Sequence, residues 1–107
     1  MSKVIWVYMT APDRATAERI GRRLVADRLA ACVNMWAGMI SLYRWEGEVQ
    51  EAAETVVVAK TTAARYAELE AAVLQEHPYE CPCIVALPVH AGHAPFLDWV
   101  AAQAVDA

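Results

Sequence analysis

The stretch "HPYECPC", residues 77–83, puts a histidine, a glutamate and two cysteines within seven positions broken by two prolines. The imidazole of His77 is a good ligand for copper, zinc or nickel. Two thiolates spaced as Cys81 and Cys83 are can grip one soft ion, and Cu(I) is satisfied by few ligands. A closed structural zinc site needs four donors. The chain has no second cysteine pair to complete one, only Cys32, His90 and His93 besides His77. A disulfide between Cys81 and Cys83 is disfavoured, because Pro82 keeps Cys81 extended and spreads the two Cα atoms to the edge of bridging range. Bland roles stay open beside the chemical ones. His77 can bond the last carbonyls of a helix or meet its dipole, and the cysteines can be packed free thiols.

Other chemistry is sparse. There is no GxSxG, no HExxH and no phosphate-binding glycine loop among only four glycines, so no catalytic activity is expected. Tyr43, Trp45, Glu46 and Lys60 offer aromatic anchors beside polar groups; they suit a small-molecule cleft between subunits, or simple packing. His90 and His93 in "VHAGHAP" read as solvated loop residues, and Cys32 in "AACVN" as core. A net charge of −4 counts against nucleic-acid binding. The strand "TVVVAKTT" also lacks the aromatics that RNA-recognition domains display. No apolar stretch reaches the roughly 18 residues of a membrane span. "MSKVIWVYMTAPD" reads as a first strand and not a signal peptide. An odd number of cysteines in such a chain points to free thiols and the cytoplasm.

The elements that position these residues follow from periodicity. One hundred and seven residues are expected to form a single domain, residues 1–107. "KVIWVYMT" (Lys3–Thr10) is β-branched and aromatic and stops at Ala-Pro-Asp, as a strand does. From Asp13, Ala17, Ile20, Leu24 and Val25 keep helical spacing, with Thr10 or Asp13 as cap and Pro12 suited to the first turn. Ala30–Trp36 and Met39–Glu48 read as extended chain interrupted by a bulge at Ala37-Gly38. "WEGE" approaches a turn, and Glu54–Thr62 pairs back. A second helix over Thr62–His77 carries Tyr66, Leu69, Val73 and His77 on one face, and Pro78 stops it. Ile84–Val89 is a fourth strand, and Pro95 opens a short terminal helix. The order βαββαβ plus a C-terminal helix is the ferredoxin-like α+β arrangement, an antiparallel sheet with both main helices on one face.

In such a fold the second sheet face normally meets water and the strands alternate. "VIWVYM", "TVVVA" and "IVALPV" do not alternate, and hydrophobic residues make up 58% of the chain. Something must cover the open face, and beyond the terminal helix the simplest cover is another copy of the chain.

Taken together, "TAPD", "RLAACVN", "YRWEG", "KTT", "HPYECP", "LPV" and "FLDWV" resemble, in order and spacing from about Lys3 to Val100, the CutA divalent-cation-tolerance family. The resemblance implies a compact homotrimer of ferredoxin-like domains, reminiscent of the PII signalling proteins. It also implies a role in tolerance to copper and other divalent cations, with no catalytic reaction. Family copper ligands are a cysteine before the "TAPD" threonine and a histidine pair before "PY". Here Met9 holds the cysteine position, Glu76 the first histidine position and His77 the second. The candidate metal ligands are therefore His77, Glu76, Met9, Cys81 and Cys83, the last two peculiar to this chain. A PII-like trimer sensing a small ligand between subunits is the alternative reading.

Overall fold

The computed structural model describes residues 3–106. β1 (Val4–Ala11) leads through a tight corner to α1 (Arg14–Ala26), whose N-cap Asp13 accepts a hydrogen bond from the Thr16 N–H at 2.7 Å. β2 (Cys32–Trp45) and β3 (Glu48–Thr62) form a long antiparallel ribbon. A 3₁₀ turn (Ala63–Arg65) precedes α2 (Tyr66–Glu76), and β4 (Ile84–Pro88) and α3 (Ala94–Gln103) complete the chain. The sheet order is β2-β3-β1-β4 with every pair antiparallel, the ferredoxin-like order expected.

The ribbon is where expectation and structure differ most. β2 passes through the anticipated bulge as one strand: Trp36 opposes Val56 and Met39 opposes Glu54, so two residues face one. Gly38 takes φ +84° there, a conformation that costs glycine nothing. β3 starts six residues earlier than the apolar run suggested, because a two-residue turn at Glu46-Gly47, both with positive φ, locks Trp45 opposite Glu48. His77 lies one residue beyond α2, in extended conformation, as the following proline demands.

Alternation along β1 and β3 sorts the two faces. Ile5, Val7, Met9, Val57 and Ala59 pack with Ala17, Ile20 and Leu24 of α1 and Leu69, Ala72 and Val73 of α2 into the core. Trp6, Tyr8, Thr10, Glu54, Val56, Val58 and Lys60 look the other way. α3 packs across part of that second face against β3 and β1. There Lys60 Nζ lies 5.1 Å from the Trp6 ring centroid and 5.7 Å from that of Phe96. Thr10, Glu54, Val56 and Val58 are buried on this face too, whereas Trp6, Val85 and Leu87 stay exposed. The described chain measures 44 × 26 × 21 Å with a radius of gyration of 14.3 Å, against about 13 Å for a compact domain of this length. The ribbon from Met39 to Ala53 accounts for the excess as a protruding arm, mostly exposed along its length.

Candidate ligand site

The "HPYECPC" segment leaves the end of α2 and crosses the end of β1 to reach β4. His77 fixes its path. The ring is buried, its Nε2 donates to the Thr10 carbonyl at 2.7 Å, and its Nδ1 accepts from the Tyr79 N–H at 3.2 Å. Those partners dictate the Nε2–H tautomer and occupy both ring nitrogens. The Tyr79 ring sits 4.7 Å from the imidazole, and its hydroxyl donates to Glu54 Oε2 at 2.9 Å. A chain of contacts thus ties β1, the loop and β3 together.

The Tyr79 hydroxyl is pushed up to about 12 by burial first, then by its hydrogen bond to Glu54 and the charge on that carboxylate. The fold therefore favours the neutral phenol. The stability this contributes is fully present below the ordinary tyrosine range near 10 and is lost as pH rises toward about 12. In an alkaline titration followed at 295 nm, Tyr79 should ionise late, as should Tyr66, raised by burial and its bond to Glu70; Tyr79→Phe should remove its share of that late phase and flatten the loss of stability above pH ~10.

Beyond Tyr79 the loop borders a cavity of about 820 Å³, walled on the other side by the arm. Cys81 and Cys83 both line it and both are free thiols. Burial, and then the nearby Glu54 charge, push the Cys83 thiol up, so an incoming metal must displace its proton. Tyr43 and Trp45, picked from the sequence as cleft residues, line this cavity. Their suggested companions do not: Glu46 sits in the turn at the arm's tip, and Lys60 lies under α3 between Trp6 and Phe96.

The candidate metal ligands fall into separate places. Met9 is 1% exposed, in the core on the opposite sheet face from the cavity. The Glu76 carboxylate meets Arg19 Nε at 3.2 Å and an Arg23 guanidinium nitrogen at 3.4 Å. Cys81 and Cys83 are the two that share a cavity. Among the described residues no group of three or more histidine, cysteine, aspartate or glutamate side chains is placed to hold a metal ion. Sequence reasoning passed over Glu54, Tyr79 and Met39, all on the cavity wall. A lone acid opening the apolar run "ETVVVA" is the signal that could have found Glu54.

The profile of the CutA1 divalent ion tolerance protein family matches residues 5–103. The chain belongs to that family. It is 45% identical over 94 residues to the divalent-cation tolerance protein CutA of Thermus thermophilus, covering 88% of this chain and 91% of the relative. To the Archaeoglobus fulgidus protein of the same name it is 41% identical over 95 residues, covering 89% and 92%. Among solved structures, CutA1 from Oryza sativa superposes with a TM-score of 0.95 at 33% identity, over 99% of this chain and 97% of that one. The Thermus thermophilus protein gives 0.92 at 42% identity, over 94% and 97%. The A. fulgidus protein is described as periplasmic in its solved structure. Among the described residues of this chain no helix is long and apolar enough to cross a membrane.

Proposed function

We propose that this member of the CutA1 family acts in divalent-cation tolerance as a homotrimer that binds copper, or another soft or divalent ion, at Cys81 and Cys83. One observation supports the metal reading above the others: the two thiols of "CPC" are unpaired and open on the same cavity. His77 stands beside them as the anchor of their loop; it would reach a metal only by releasing Thr10 or Tyr79. Glu76 would have to leave its two arginines, and Met9 its place in the core. The primary contacts are therefore assigned to the cysteines. No catalytic step is assigned. Three unpaired thiols favour the cytoplasm as the working compartment.

The trimer rests on both free edges of the sheet. Among the described residues β4 pairs only with β1 and β2 only with β3. Four of the five β4 residues are exposed although the strand reads Ile-Val-Ala-Leu-Pro, and Trp36, Ile40, Leu42 and Val49 stand out along the ribbon. Bare apolar edges of this kind are hazards unless another chain covers them. Two different edges on one chain make a head-to-tail contact that can close into a ring.

A competition titration of reduced protein against a chromophoric Cu(I) chelator tests the metal site. About one ion per chain is expected, lost when Cys81 and Cys83 are both changed to serine and weakened as pH falls, because protons then compete for the thiols. Full uptake by the double serine variant would contradict the assignment. The PII-like reading, a small ligand sensed by the same trimer, has one observation of its own: Tyr43 and Trp45 wall the cavity beside polar groups.

A further inference from the structure

We infer that the cavity between the arm and the loop binds an organic ammonium ion, held by the Glu54 carboxylate within aromatic walls. The inference rests on the small-ligand reading and gives that ligand a chemical class. Glu54 is 8% exposed, and the Tyr79 hydroxyl donates to it. No lysine, arginine or histidine among the described residues forms an ion pair with it. A buried carboxylate calls for a cation partner, since one neutral hydrogen bond does not replace its lost hydration.

The lining agrees. It includes a second carboxylate, Glu80, and no basic residue, so the cavity repels anions and draws cations. Tyr8, Tyr43, Trp45 and Tyr79 line it; aromatic rings attract an ammonium group through the negative quadrupole of their faces, and their area buries the carbon body attached to it. At about 820 Å³ the space lies within the range of small-molecule sites and far exceeds what a bare metal ion needs. The thiols stand at the loop side of the cavity. Metal binding there and amine binding at Glu54 use different atoms.

The test uses 2-phenylethylamine and its neutral counterpart 2-phenylethanol as probes, with binding to the assembled protein followed by saturation-transfer NMR and calorimetry. The amine is expected to bind at least about tenfold more tightly than the alcohol. Glu54→Gln, whose amide oxygen can still accept from Tyr79, should erase that preference, and Tyr43→Leu, an exposed change on the arm, should weaken the amine severalfold. The Cys81→Ser, Cys83→Ser pair should leave amine binding intact. Equal binding of amine and alcohol would overturn the ammonium assignment while leaving a small-ligand site standing. Binding of neither would overturn both, and would leave the cavity to a side chain of a second copy. Amine binding unchanged in both Glu54→Gln and Tyr43→Leu would place the ligand elsewhere and also overturn it.

Discussion

Changing Leu42 and Leu87 together to lysine is expected to convert the assembly into single folded chains. Leu42 stands on the arm at 68% exposure and Leu87 on the free β4 strand at 48%. Neither belongs to the buried core cluster, so the fold of one chain loses little. Burial of each leucine against a neighbour is worth about 2 kcal/mol. A lysine in its place adds the desolvation of an ammonium group, and the cost repeats at every interface of a closed ring. At micromolar concentration that total exceeds what a ring of moderate interfaces can spare. Light scattering coupled to size exclusion reads the mass, and far-UV circular dichroism checks that the fold survives. A lysine variant still trimeric, or a monomeric parent protein, would contradict the assignment of these edges to a second copy.

His77→Ala is expected to cost about 3 kcal/mol of stability. The substitution removes the hydrogen bond to the Thr10 carbonyl and the acceptor of the Tyr79 N–H, and it leaves a gap where a buried ring stood. A buried group stranded without its partner costs about 1–3 kcal/mol, and the lost packing adds to that. Urea unfolding at one fixed protein concentration measures it, with His90→Ala as the control. His90 is an exposed loop residue, and its removal should change stability by less than about 0.5 kcal/mol. An unaltered midpoint for His77→Ala would mean the ring does not anchor the loop. The same variant bears on metal chemistry: a ring holding the loop in place lowers stability with or without copper, whereas a true ligand shows its main effect only in copper.

The architecture was readable because local signals agreed. Helical spacing in "RATAERIGRRLVA", the break before Pro78 and three continuous apolar runs left few arrangements other than βαββαβ. The arm was only partly visible. Residues Glu48 to Ala53 carry two carboxylates among mostly small and polar residues, and no periodicity marks them as strand; the turn at Glu46-Gly47 and pairing with β2 do that. At the candidate site the sequence showed which residues have chemistry but not which face each one takes. Met9 and Thr10 are adjacent in the chain, yet alternation sends Met9 into the core and Thr10 to the cavity wall. Glu54 and Tyr79 lie 25 positions apart, and only the fold brings the hydroxyl to the carboxylate. Lys60 was grouped with Tyr43 and Trp45 by type, but its place in the register, opposite Trp6, puts it at the other end of the sheet.

The measurement that bears most directly on the central proposal is native mass spectrometry of reduced, chelator-stripped protein, titrated with copper and with zinc in turn. It reads assembly and metal uptake in one experiment. The expected result is a species of three chains that takes up one copper ion per chain, with uptake abolished by the paired cysteine-to-serine change while the three-chain mass persists. A species of three chains that stays bare at micromolar copper and zinc would contradict the metal site, and a single-chain mass would contradict the trimer itself.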